Sequence, residues 1–250
     1  MSVGNILSKL QEFNNSNLIS VYVPSAGKKM TFKALSVKQQ KDLIKTGLDG
    51  ALAGVTITNI INQIVLDNST EKYNFLSTDK IPVILALRKH SFGSVAVIKE
   101  EESEISFDLD EILSHNLDFP FENEETLMMD DANITATVAV VSLVDDIKIN
   151  EFQLDKIRKS KDNELSDTVG SLFIYEIVKF VTKLEVNSSE IDLRTLPIKD
   201  RLTVVENIPA SLNNLILSYI QKFRKMEMEY ITVGENVLPI DARLFSSDDK

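Results

Sequence analysis

The spacing of apolar residues changes several times along this chain, and each change marks an expected element. Ile6, Leu7, Leu10 and Phe13 recur at helical spacing, which predicts a short helix over 5–13. Ile19, Val21 and Val23 then alternate with Ser20 and Tyr22. Beyond PSAGKK, Met30, Phe32 and Ala34 alternate with Thr31 and Lys33. Two period-2 runs joined by a Pro/Ser/Gly segment predict a β-hairpin. Ser36 is the expected N-cap of a helix VKQQKDLIKTGL, with Val37, Leu43, Ile44 and Leu48 inward and Gly47, Gly50 and Gly54 ending it. A helix over about 56–66 places Ile57, Ile60, Ile61, Ile64 and Val65 on one face and stops at Asn68. Ser77-Thr78-Asp79 is expected to cap another over 79–90, with Pro82 tolerated in the first turn.

The pattern then shortens. SVAVI (94–98) and EISFDL (104–109) are expected strands around Glu100-Glu101-Glu102, and DEILSHN is a short helix or turn. Residues 116–131 hold Pro120 and many acids and form the best candidate linker. ITATVAVV (134–141) is the strongest strand by β-branched content. From 147 onward the spacing is helical. Helices are expected over 149–160, 166–184, 198–207 and, after Pro209, 210–229. In the second of these, Val169, Leu172, Phe173, Ile177, Phe180, Val181 and Leu184 share a face. The last of them carries Leu212, Leu215, Ile216, Tyr219, Ile220, Phe223 and Met226 in a stripe. ITVGENVLPIDARLF is expected as a hairpin or extended arm. No repeat of 20–50 residues occurs. Strands and helices in separate runs, without βαβ alternation, predict an α+β fold: an N-terminal hairpin, helices, a central strand region and a helical C-terminal half. The expected division is 1–131 and 132–250, either as two domains or as one continuous domain.

Composition narrows the chemistry. The chain has 250 residues, no Cys, no Trp, two His and a net charge of −11. Without Cys there is no disulfide, Cys-zinc site, iron–sulfur cluster or thiol nucleophile. The acidic balance argues against nucleic-acid binding. No stretch approaches the roughly 18 apolar residues of a membrane span. MSVGNILSKLQEFNNSN has one Lys and no long apolar core, so no signal peptide is expected and a cytoplasmic site of synthesis and folding is the default expectation. The total charge hides an asymmetry: residues 1–48 carry seven Lys against two acids, and 99–131 carry thirteen acids against one Lys.

The search for catalytic motifs gives little. Gly27-Lys28 lacks the spacing of a Walker A loop, since Tyr22 and Lys29 stand where Gly and Ser/Thr are needed. His90 and His115 are isolated in sequence. Asp108, Asp110 and Glu111 are hard-cation ligand types, but an EF-hand's central Gly and terminal Glu are missing. Asp145-Asp146 follows a strand without a partner motif. No enzyme activity, cofactor or metal is expected.

The block VPSAGKKMTFKALSVKQQKDLIKT (23–46) resembles the start of the T4-type myovirus baseplate hub and hub-assembly proteins. The matching residues are Pro24, Ser25, Gly27, Lys28, Phe32, Lys33, Leu35, Val37, Lys38, Gln39, Gln40 and Lys41. Leu87-Arg88 with Gly93, Leu196-Pro197 through Ile208-Pro209, and Pro239-Ile240-Asp241 with Phe245 are similar more loosely. The resemblance does not extend over 99–131.

This resemblance implies a non-enzymatic protein of a contractile phage tail, a hub component or a hub-assembly factor, found in the virion baseplate or in the host cytoplasm during assembly. It implies other tail and hub proteins as partners, with self-association left open. Lys28, Lys29, Lys33, Lys38, Gln39, Gln40 and Lys41 are the candidate partner-binding residues, because they put cations and donors on the hairpin and the following helix start. A general tail-assembly chaperone or adaptor is the alternative. An enzyme with a carboxylate–metal site at Asp108 or Asp145 is a third reading.

Overall fold

In a computed structural model, residues 3–48, 52–99, 103–114, 121–129, 133–159 and 165–246 are described. The architecture is α+β, with the hairpin, helices, central strands and helical C-terminal half that the apolar spacing predicts. The chain forms two compact units, 1–119 with 228–250, and 120–227. The expected boundary at 131/132 is a different partition from this division by contacts.

The first unit begins with helix α1 (Val3–Ser16), followed by strands β1 (Leu18–Val23) and β2 (Lys28–Lys33). They pair antiparallel, with Val21 opposite Met30 and Ile19 opposite Phe32. Val21, Val23, Met30 and Phe32 are buried, so the period-2 run does define the core face. Helix α2 (Val37–Lys45) starts at Ser36 with a full capping box. Its expected inward face is narrower than the sequence suggests. Leu43 is buried, but Val37 and Ile44 are exposed, because Val37 sits in the first turn outside the packed stripe. Leu48's side chain lies outside the described residues.

Helix α3 (Ala53–Asn68) buries Ile57, Ile61, Ile64 and Val65, and Gly54 is absorbed into its first turn. Helix α4 (Ser77–Phe92) is buried nearly all round. Its N-cap is Leu76, and Asp79 is the N3 residue whose carboxylate accepts from the Leu76 N–H at 2.8 Å. Strands β3 (Val95–Lys99) and β4 (Glu104–Asp108) pair antiparallel and lead to helix α5 (Leu109–Ser114). Glu100-Glu101-Glu102, His115 and residues 116–120 and 130–131 of the expected linker lie outside the described residues.

The second unit opens on strand β5 (Glu124–Met129), inside the segment expected as a linker. It pairs with β6 (Ile134–Ala139), which places 124–129 in a sheet, not a connection. Helices α6 (Leu143–Lys159) and α7 (Leu165–Phe180) follow, then strands β7 (Val181–Val186) and β8 (Ser189–Asp192). The four strands form one antiparallel sheet, in the order β5-β6-β7-β8. The helix expected over 166–184 therefore stops at Phe180. Val181 and Leu184 belong to β7, where they pair with Val138 and Ala136. Ile177 and Phe180 are buried as expected and Phe173 is exposed, while the side chains of Val169 and Leu172 lie outside the described set.

Helices α8 (Ile198–Glu206) and α9 (Ala210–Tyr230) complete the helical half. Leu212, Ile216, Tyr219, Ile220 and Phe223 of α9 are core, and Leu215 is exposed. Phe180, Tyr219, Phe223 and Phe121 form an aromatic cluster with centroids 5.1 to 6.1 Å apart. The last residues of α9 return the chain to the first unit. There β9 (Thr232–Val233) and β10 (Asn236–Val237) form a small hairpin, and the 3-10 turn Ala242–Phe245 buries Leu244 and Phe245.

Candidate functional site

The block 23–46 that carries the resemblance folds as the β1–β2 hairpin and α2. Pro24–Ala26 make one 3-10 turn, closed by Gly27 at φ 61°, whose N–H donates to Pro24 O at 3.1 Å. A side chain on a residue at that φ would be strained, which explains the Gly. Ser25 is not a surface hydroxyl. Its N–H and Oγ both donate to the Asp79 carboxylate, at 2.9 and 2.6 Å, and the Tyr73 hydroxyl lies 3.1 Å from Oγ.

The seven candidate partner-binding residues divide into two groups. Gln39 and Gln40 are used inside the fold. The Gln39 side chain accepts from the Ser36 N–H and donates to Asn68 Oδ1 at 2.6 Å, while Gln40 Nε2 donates to Phe245 O at 3.2 Å. Asn68 in turn donates to the carbonyls of Lys33 and Ala34. The lysines are outside. Lys28 is exposed and pairs with Glu71 at 3.2 Å, a contact worth little at that exposure. Lys29, Lys38 and Lys41 are exposed, and Lys33 is half-buried. Lys38 lines a cleft of about 560 Å³ between α2 and α3, together with Asp42, Lys45, Gln63 and Asp67.

Two of the looser points of resemblance, Arg88 with Gly93 and the stretch ending at Phe245, also converge. Arg88, buried, donates to Gly93 O at 2.6 Å and to Leu244 O at 3.3 Å. With the Gln40–Phe245 bond, these contacts fasten 242–245 to α2 and α4. The motif residues here are fold-making.

Asp108, Asp110, Asp145 and Asp146 each have partners within the fold. Asp110 pairs with Lys89, and Asp108 Oδ1 accepts from the Asp110 N–H. Asp145 faces Arg201 and Lys148, and buried Asp146 faces Lys179 at 3.0 Å. Asp145-Asp146 lie in the first turn of α6, not at a free strand end. His90 Nε2 lies 3.0 Å from Asn17 Oδ1.

Two surface features are less visible in sequence. Val3, Ile6, Leu7, Leu10 and Phe13 form one stripe along α1, and all are 47–74% exposed. The 3.6-residue period reports such a stripe but not whether anything covers it. The second feature is a groove of about 710 Å³ lined by four consecutive β1 residues, Ile19–Tyr22, and by Pro82, Ala86, Lys89 and His90 of α4.

Residues 16–234 match the family model described as T4 bacteriophage base plate protein. The chain belongs to that family. The match runs through 99–131, which the resemblance of single motifs did not reach. No curated protein and no solved structure matches the chain. This is a bacteriophage baseplate protein, and Ser25, Gln39 and Arg88 of its matched stretch are committed to contacts within the fold.

Proposed function

We propose that this baseplate protein is a hub component or hub-assembly factor that works through protein–protein contacts and without catalysis. Family membership supplies the baseplate; the likeness of 23–46 to hub and hub-assembly proteins supports the hub. The observation that carries contact as the mode of action is the α1 stripe. Five large apolar side chains stand in water on one helix face, an arrangement that marks an interaction surface. Burying them on a partner is favourable by about 1.5–3 kcal/mol each, before the cost of association. Lys28, Lys29, Lys38 and Lys41, all exposed, add positive charge that steers an acidic partner.

The test pairs two measurements. Mass spectrometry of purified virions and of infected-cell extract shows where the protein resides: in both for a structural part, in the extract alone for an assembly factor. Pull-down with tagged full chain then compares wild type with Leu10→Asp and Phe13→Asp. Loss of hub proteins at unchanged thermal stability supports the proposal. Recovery of no tail protein by wild type removes it. Binding of an unfolded client, with absence from particles, assigns the general chaperone instead.

A further inference from the structure

The two edges of the β1–β2 ladder are treated differently. The Ala34 N–H donates to Asn17 O at 3.1 Å, which sets the phase of the ladder. Ile19, Val21 and Val23 turn their N–H and C=O toward β2, and Ser20 and Tyr22 turn theirs away. The far edge of β2 is closed. Thr31 O accepts from the Thr70 N–H and Oγ1, both at 3.0 Å, Phe32 bridges Ser69, and Asn68 serves the Lys33 and Ala34 carbonyls. The far edge of β1 has no such cover: the backbone groups of Ser20 and Tyr22 have no hydrogen-bond partner among the described residues.

That open edge is one side of the 710 Å³ groove. A volume that touches four consecutive residues of a strand runs along its edge, because alternate side chains leave on opposite faces. Unpaired N–H and C=O groups at strand spacing fit another extended backbone. The charges in the groove choose among such backbones. Lys29 and Lys89 line it against a single acid, Asp110, which Lys89 already engages. Lys29 has no acidic partner among the described residues. A second copy would bring no carboxylate to a groove whose one acid is already engaged, since its own β1 carries none, whereas a strand bearing carboxylates offsets the positive charge there.

We propose that the free edge of β1 takes an extended, acid-bearing segment of another baseplate protein as a third strand, about as long as the six residues of β1. This rests on the hub reading above and names a partner-binding site within it.

The probe is an array of short overlapping peptides tiled across the baseplate proteins of the same phage, read with the full chain. Acid-rich extended peptides bind the wild type. Ser20→Pro deletes an outward N–H without removing a ladder bond, since proline is tolerated on edge strands. It lowers affinity at least tenfold, as does Lys29→Glu. In the wild type, bound peptide slows amide exchange at Ser20 and Tyr22 and leaves Ile19 and Val21, already protected, unchanged. If Ser20→Pro does not fold, the exchange data and Lys29→Glu decide. Unchanged exchange at Ser20 and Tyr22, or wild-type binding by the folded Ser20→Pro variant, overturns the proposal. So does self-association lost in Ser20→Pro without peptide binding, which makes the occupant a second copy. An array that captures nothing, while intact hub proteins are still recovered, overturns the strand site and leaves the hub reading standing.

Discussion

Ser25 and Asp79 are 54 positions apart and joined twice, through the Ser25 N–H at 2.9 Å and Oγ at 2.6 Å. The pair fixes the hairpin tip to the first turn of α4, where a carboxylate also suits the helix dipole. Ser25→Ala removes one hydrogen bond to a charged acceptor. It is expected to lower unfolding free energy by about 1.5–3 kcal/mol. Urea denaturation of the full chain measures this, and a loss below about 0.5 kcal/mol means that the Oγ bond adds little to the hold of the Ser25 N–H and the apolar face.

Burial pushes the Asp79 carboxyl above its ordinary value, and the hydrogen bonds from Ser25 and Leu76 only partly offset that. The folded chain therefore holds this proton more tightly than the unfolded one. The stabilisation from protonation is full below the ordinary aspartate value of about 4 and is lost as pH rises through the folded value. Asp79→Asn lacks the titration. The stability of wild type relative to Asp79→Asn is expected to fall as pH rises above about 4. A relative stability that grows with pH contradicts the assignment.

Lys179 is buried in the second unit between Asp146 and Glu176, each at 3.0 Å, and Arg224 holds the far oxygen of Glu176 at 2.8 Å. Burial alone would lower the Lys179 value, but the two carboxylates outweigh it and hold it above the usual lysine range. Burial likewise opposes ionisation of Glu176, and Lys179 and Arg224 overcome it. Lys179→Met removes the ammonium from a buried aspartate and is expected to cost about 3–5 kcal/mol. Adding Asp146→Asn recovers part of that loss. Thermal denaturation of the two single variants and the double variant checks the coupling.

Gln39 and Lys38 are neighbours with opposite expected roles. Gln39→Ala breaks the capping box and the Asn68 contact, at an expected cost of about 1–3 kcal/mol. Lys38→Glu puts an acid in the first turn of α2 and is expected to raise stability by a few tenths of a kcal/mol, up to about 1. Melting temperatures and hub-protein pull-downs separate the two: the first variant loses stability, the second loses partner binding.

Much of the fold was legible because its period is simple. The hairpin at Leu18–Lys33, the Ser36 cap and the stripe of α9 each follow one rule without interference. The misses have local causes. β5 reads as linker because it is an acidic edge strand, and of its six residues Leu127 alone is buried. β7 hides at the end of α7, since Val181 and Leu184 continue the helical spacing of Ile177 and Phe180 by coincidence. β8 follows a two-residue turn, Asn187-Ser188, with φ of 49° and 65° and no glycine to announce it. At the candidate site the lysines were legible as surface. The inward use of Gln39 and Gln40 was not, because their partners, Asn68 and Phe245, lie 29 and 205 positions away.

The Arg88–Leu244 and Gln40–Phe245 bonds also bear on the order of synthesis. Residues 120–227 are a contiguous stretch that can close as soon as it leaves the ribosome, while residues 1–119 wait for 228–246. At translation rates of about 5–20 residues per second that delay is on the order of ten seconds. During it, Gln40 and Arg88 lack their carbonyl partners at Phe245 and Leu244. A growing chain thus passes through a stage in which its later-made unit is finished and its earlier-made one is not.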